Sequence, residues 1–170
     1  MRYKLTFIDY WHLSSGLSAG ARLDSTVVKD DDGIAFVPGK TIKGLLREMA
    51  ELIDKEFALK YFGIEGTQQG LCYFSNATLE EGTKTEIITN HLQNHLYDEI
   101  ASTKIAENGI AVDGSLREIE IVVPLTLYGD IEHCDDKETM TQVMMMVKRM
   151  GLNRNRGLGR CTFEVIGDAK

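Results

Sequence analysis

A short apolar run, Ile34 to Val37, stops at Pro38-Gly39 and gives way to apolar residues at helical spacing: Ile42, Leu45, Leu46, Met49, Ile53 and Phe57. No other stretch constrains the fold as strongly. The run reads as a strand, proline and glycine break it, and the 3.6-residue period gives Thr41 to Phe57 one face to bury. The first turns of this helix carry Lys40, Lys43 and Arg47, and no Asp or Glu occurs between Gly33 and Arg47. Free backbone N–H groups and local positive charge at a helix start make a seat for phosphate. Upstream, Asp24 is a carboxylate in an apolar setting, suited to holding a divalent cation or orienting a nucleophile over such a phosphate. This segment implies handling of a nucleic-acid backbone.

A nucleotide-binding P-loop is the obvious competitor, because Gly39-Lys40-Thr41 copies the end of that motif. The motif needs a glycine five residues before Gly39, where Ile34 stands. The residues between read as a strand and not as a glycine-rich cradle, so the P-loop is rejected.

Further strands are expected over Arg2 to Asp9, with Tyr3, Leu5 and Phe7 on one face, over Leu71 to Leu79, and over Arg160 to Val165. Arg117 to Tyr128 also alternates, and Pro124 within it marks a bulge or an edge. Met140, Val143, Met144, Val147 and Met150 give Glu138 to Met150 a helical face, with the methionines as core filler. His12 to Ala21 and Tyr61 to Gly70 read as loops, and Glu86 to Ile100 as helical. Glu80 to Ser115 reads as an excursion from the core. The resulting order, β-α-β-(excursion)-β-α-β, is that of an α+β, ferredoxin-like (RRM-like) βαββαβ fold.

At 170 residues, 43% of them apolar, the chain suits one domain spanning 1–170. No signal segment and no membrane-crossing run are expected. Cys72, Cys134 and Cys161 are far apart and outside any CxxC pattern, which suits a reducing cytoplasm and argues against structural zinc. The net charge of −7 excludes a general nucleic-acid sponge. Yet Thr139 to Phe163 lacks acids while holding Lys148, Arg149, Arg154, Arg156 and Arg160. Two basic segments in an acidic chain imply a directed groove; the bland alternative is a pair of solvated surfaces.

The second basic segment contains Met150 to Cys161, MGLNRNRGLGRC. Gly151, Gly157 and Gly159 permit positive φ and close approach of another backbone. Arg154, Arg156 and Arg160 offer guanidinium forks to phosphate oxygens. Alone, such a loop is equally a helix C-cap followed by a tight turn.

Taken together, these segments resemble the RAMP superfamily of CRISPR-associated proteins, specifically Cas7-like backbone subunits of type III effector complexes. His12-Leu13-Ser14-Ser15-Gly16 is similar to the family's early His/Gly loop, and Leu23-Asp24 with Val27 to Asp30 to its aspartate-bearing loop. Phe36 to Arg47 resembles its PGSSLKGxxR segment. Tyr61-Phe62-Gly63 and Phe74 to Ala77 match further motifs, and Gly151 to Gly159 resembles the C-terminal glycine-rich loop. Residues ahead of Asp24 depart from the glycine-rich sequence typical of catalytic members.

The resemblance implies binding of CRISPR guide RNA, engagement of target RNA, assembly with other Cas subunits, and stacking into a homo- or hetero-oligomeric filament in a prokaryotic cytoplasm, with no membrane partner. Residues 80–115 become the candidate thumb. Lys40, Lys43, Arg47, Arg154, Arg156, Gly157, Gly159 and Arg160 become guide contacts, and His12 an RNA contact or general base. Asp24 falls where catalytic relatives place the aspartate that cuts target RNA with Mg2+ or another divalent cation, with Lys29 and Arg22 as charge stabilisers. A non-cleaving guide-coating or capping subunit, and a metal-independent precursor-processing enzyme of the Cas6 kind, stand as alternatives. His91 and His95, at i and i+4 on the expected helix, form a weaker candidate metal pair.

Overall fold

The computed structural model describes residues 1–18, 23–64 and 66–168. Its elements in chain order are β1 (Arg2–Phe7), α1 (Gly39–Ile53), α2 (Lys55–Phe62), β2 (Gly63–Ile64), β3 (Gln68–Gln69), β4 (Tyr73–Phe74) and α3 (Glu81–Thr89). After a 3-10 turn at Gln93–Leu96 come β5 (Tyr97–Ser102), β6 (Arg117–Val122), β7 (Thr126–Glu132), α4 (Lys137–Met146) and β8 (Cys161–Gly167).

The alternation of β1 buries Tyr3, Leu5 and Phe7 and leaves Arg2, Lys4 and Thr6 half-covered. It lies at the centre of an antiparallel sheet with strand order β4-β7-β1-β8. Leu5 faces Leu127 on one side and Phe163 on the other, so apolar side chains from three strands line one face. Ile42 and Leu46 of α1 and Met140, Val143 and Met144 of α4 join the same buried cluster. Burial of each such side chain stabilises by about 1.5–3 kcal/mol relative to exposure. Trp11 is fully buried and stacks on Phe7 with ring centroids 4.3 Å apart, so it is core.

Several sequence expectations are corrected. Ile34, Ala35 and Val37 are buried and Phe36 is half-buried, but the run makes only isolated bridges, Lys29 with Ala35 and Val37 with Ala77. The expected helix over Thr41 to Phe57 is two helices. Asp54 ends the first, and its carboxylate accepts the Glu56 and Phe57 N–H groups to cap the second, which leaves Ile53 exposed. The expected loop over Tyr61 to Gly70 begins inside α2 and holds the β2–β3 hairpin. In Leu71 to Leu79 only Tyr73–Phe74 forms a strand.

Residues expected as a helix over Glu86 to Ile100 end as β5, paired with β6 in a separate two-stranded sheet. Pro124, which has no N–H to give to a ladder, separates β6 from β7, so Arg117 to Tyr128 serves two sheets. The last helix stops at Met146, although Val147 and Met150 remain buried.

Candidate nucleic-acid interface

Helix α1 begins where the chain has no room for a side chain. A Cβ on Gly39 would lie 2.1 Å from the Phe74 carbonyl oxygen, so glycine lets the helix start directly against β4. The Gly39 N–H donates to Asn76 Oδ1 at 2.9 Å, which caps the helix from another segment. No acidic residue occupies its first turn. Lys40, Lys43, Gly44 and Arg47 share one face, opposite the buried Ile42, Leu46 and Ala50. Lys40 is exposed and Lys43 half-buried, while half-buried Arg47 pairs with Glu51 at 2.9 Å. An exposed i,i+4 pair of this kind contributes only about 0.3–0.5 kcal/mol.

Across from this face stands the β2–β3 hairpin. Lys40, Lys43, Gly44 and Arg47 form one wall of a cleft of about 620 Å³; Thr67, Gln68 and Gln69 form another, with Phe62 and Ile64 between them. Gly44 is a departure from good helix chemistry, because glycine in a helix interior costs about 1 kcal/mol relative to alanine.

The glycine-rich loop packs alongside. Gly151, Gly157 and Gly159 have φ of 92°, 97° and 71°. A Cβ on Gly151 would approach the His12 carbonyl oxygen to 2.3 Å, and one on Gly159 the Met150 carbonyl oxygen to 1.9 Å. These two glycines therefore serve the chain's own packing, whereas Gly157 opens on free space. Leu152 N–H donates to His12 O and Gly159 N–H to Tyr10 O, clamping the loop to the segment after β1.

A smaller hollow of about 290 Å³ has Lys40, Gly44, Gly151 and Arg154 in its walls together with the acidic Glu48, which also borders the groove beyond it. Lys40 and Gly44 thus belong to both hollows, and a third shallow groove continues from Arg154 to Lys148 and Arg149. The structure brings Lys40, Lys43, Arg47 and Arg154 onto one continuous surface. Arg156 and Gly157 are exposed on the same loop but line none of these hollows, Gly159 is buried, and the Arg160 guanidinium pairs with Asp9 at 3.1 Å. Sequence reasoning missed Gln68 and Gln69, because neither composition nor period signals which hairpin will face a helix.

Asp24 occupies a different place. Its Oδ1 accepts from Arg117 Nη1 at 3.1 Å and its Oδ2 from the Glu118 N–H at 2.9 Å, so both oxygens are tied to the start of β6. Its side chain remains 41% exposed. Among the described residues, no group of three or more His, Cys, Asp or Glu could hold a metal ion. One carboxylate paired with an arginine does not fit a divalent-cation site, which takes several oxygen ligands.

Lys29 donates to Glu120 Oε1 at 2.7 Å and sits 3.7 Å above the Tyr97 ring, so its charge is already engaged and does not face a substrate. Arg22 lies outside the described residues. His12 is fully buried: its Nδ1–H donates to the Glu120 carbonyl at 2.5 Å, and Nε2 is bonded to the Ser25 hydroxyl at 3.1 Å. That corrects its reading as an RNA contact, because an imidazole with no exposed face and both nitrogens engaged acts as a strut. His91 and His95 do not share a helix; His91 has φ of 55° beyond the end of α3, and His95 lies in the 3-10 turn.

An antiparallel sheet with helices packed on it, a basic helix face and a glycine-rich loop define a class, and the family comparison names it. Residues 4–162 match the model of the RAMP superfamily, and the chain belongs to that superfamily. Its fold is similar to that of a chain in the cryo-EM structure of the Type III-B Cmr-beta bound to cognate target RNA. There the TM-score is 0.74 and the identity 11%, covering 95% of each chain. A chain of the Type III-B Cmr-beta in its apo state gives 0.71 at 10% identity, over 96% of this chain and 95% of that one. No curated protein matches the sequence. No helix among the described residues is long and apolar enough to cross a membrane.

Proposed function

We propose that this chain is a Cas7-like backbone subunit of a type III CRISPR effector complex that seats guide RNA on the exposed face of α1 and on the glycine-rich loop. The observation that carries the reading is the continuous surface of Lys40, Lys43, Arg47 and Arg154 in a chain whose net charge is −7. Membership of the RAMP superfamily supports it. The strand order β4-β7-β1-β8 is read as the ferredoxin-like split βαβ plan, and residues 80–115 as its inserted thumb, within one domain of 1–170. Target RNA and other Cas subunits are the proposed partners, in a stacked filament in the prokaryotic cytoplasm.

Fluorescence anisotropy of a labelled single-stranded RNA, read across a salt series, tests this. Each phosphate contact on a single strand adds about −0.7 to the slope of log K against log salt. Lys43→Ala/Arg47→Ala is expected to weaken binding and make the slope shallower by about 1.4. Parent-like affinity and slope in the double variant would overturn the proposed groove.

A second reading, endoribonuclease activity at Asp24, rests on the partly exposed carboxylate beside Arg117 at the loop end of the β5–β6 ladder, where Arg117 pairs with Ser102. RNA carries its own nucleophile. Alignment of a 2′-OH in line with the adjacent phosphorus lets its oxygen form the new P–O bond as the bond to the 5′-oxygen breaks, that oxygen taking a proton from water to leave as a 5′-OH beside a 2′,3′-cyclic phosphate. Asp24 would take the 2′-OH proton, and Arg117 would offset the negative charge developing on the non-bridging phosphoryl oxygens. The divalent cation implied by the resemblance finds too few ligands here, and no step is routed through it. Target cleavage by the assembled complex that is lost in Asp24→Ala supports this reading. Cleavage at the parent rate in that variant removes Asp24 from the reaction, and a parent complex that binds without cutting leaves the guide-coating role.

A further inference from the structure

Cys72 and Cys134 are far apart in sequence, and one edge of the central sheet brings them together. Strand β4 pairs antiparallel with β7, Tyr73 opposite Glu132 and Phe74 opposite Ile131. One step beyond that ladder Cys72 meets His133, and its Sγ–H donates to the His133 carbonyl at 3.7 Å. His133 has φ of 58°, a left-handed turn that ends the extended run, and Cys134 follows it directly. Both thiols are buried in the same apolar cluster. They also touch each other: a hydrogen bond between them pushes the Cys72 thiol up and holds the Cys134 thiol below its ordinary value, although burial works against it at Cys134. Cys161 lies on β8, at the opposite edge of the sheet.

The two meet where the fold is held most lightly. Strand β4 is two residues long and forms an edge of the sheet. Yet the segment it begins holds the start of α1, since the Phe74 and Ser75 carbonyls pack against Gly39 and Asn76 Oδ1 accepts the Gly39 N–H. On the other side, the Cys72 N–H donates to the Tyr61 carbonyl in the last turn of α2. A covalent bond at Cys72 would therefore fix a short edge strand on which two helices depend.

We infer that Cys72 and Cys134 form a disulfide when the chain meets a hydroperoxide, and that this bond staples the β4 edge to the turn between β7 and α4. The thiolate is the attacking form, so Cys134 reacts first. With hydrogen peroxide, its sulfur takes one oxygen as the O–O bond breaks, and the other oxygen leaves as water with the thiol proton. The sulfenic acid so formed is attacked by the Cys72 sulfur; the S–O bond breaks, and the hydroxyl leaves as water with the Cys72 proton. One peroxide is reduced to two waters, and two thiols are oxidised to one disulfide. A dithiol reductant reopens the bond.

Hydrogen peroxide in slight excess, added to the folded chain, is the test. Thiol titration after denaturation should fall from three groups to one. Peptide mapping without reductant should join the Cys72 and Cys134 peptides within one chain and leave Cys161 free. The oxidised monomer should melt about 5–15 °C above the reduced one. Dithiothreitol should remove that gain, which separates it from methionine oxidation, because a thiol reductant leaves the sulfoxide in place. Cys134→Ser should lose both the link and the gain, and mapping of the parent decides the matter if that variant does not fold. Three thiols left free, oxidation of either cysteine without a link between them, or a link to a second chain would each overturn the inference. So would a linked monomer that melts no higher than the reduced one.

Discussion

Glu120→Ala tests how the loop bearing Asp24 is held. Glu120 is 9% exposed on β6. Its Oε2 accepts the Val27 N–H at 3.0 Å, and its Oε1 accepts the Lys29 ammonium at 2.7 Å. Truncation strands a backbone N–H at a buried residue and removes the partner of a lysine whose side chain is 32% exposed. Hydrogen bonds to a charged group contribute about 1.5–3 kcal/mol each, and breaking a fully buried ion pair costs about 3–5 kcal/mol. Lys29 can rehydrate through its exposed third and keeps the Tyr97 ring, so its share falls to the low end.

The total is about 2–4 kcal/mol, equivalent to a Tm lower by about 5–15 °C in a chain of this size. Glu120→Gln keeps an acceptor for Val27 and loses only the ion pair, so its Tm should fall by about 2–7 °C. Thermal melts followed by circular dichroism measure both, and hydrogen exchange at the Val27 amide should accelerate in the alanine variant alone. A Glu120→Ala protein melting within about 2 °C of the parent would refute the reasoning.

Gly39→Ala should destabilise the fold, because its Cβ falls 2.1 Å from the Phe74 carbonyl oxygen and 2.8 Å from that of Ser75. Overpacking against backbone costs about 1–3 kcal/mol or more, so a Tm fall of about 4–10 °C is expected in the same melts. Burial pushes the Asp30 carboxyl up, but hydrogen bonds from Lys84 and from the Ile34 and Asp32 N–H groups outweigh it and hold the carboxyl below its ordinary value. A depressed carboxyl adds stability above the ordinary aspartate value of about 3.9 and loses it as pH falls through the folded value. Melts across acid pH should therefore decline less steeply for Asp30→Asn than for the parent. Burial pushes the Cys161 thiol up to about 12. The thiolate is the reactive form, so iodoacetamide at mildly alkaline pH should leave Cys161 unlabelled until denaturant is added, as peptide mass mapping would show.

Where one face of an element is buried, the sequence carried its signature. Tyr3-Leu5-Phe7 and Cys161-Phe163 alternate because the sheet has one dry side, and Met140, Val143 and Met144 repeat because α4 lies on it. The break at Asp54 was masked by the apolar period running on through Phe57, although an aspartate followed by Glu56 and Phe57 had the makings of a cap. Strand β5 gave no signal, since Tyr97 is half-buried and every residue after it is exposed. The cations of α1 were legible because three of them share a helical face. The meeting of Lys40 with Arg154, and the capture of Asp24 by Arg117, depend on segments brought together only by the tertiary fold, and no local period encodes them.

Strand β6 has a mechanical consequence. On one edge it pairs with β5; on the other its backbone exchanges hydrogen bonds with Trp11, Asp24 and Ser25. A load on the β5–β6 hairpin therefore reaches the Asp24 loop through peptide groups, without crossing the central sheet. Val122, bonded in both directions to the fully buried Trp11, ties the inner end of the hairpin to the core, and the ladder ends before Pro124 and β7. Whatever tilts the hairpin turns the Asp24 carboxylate with it.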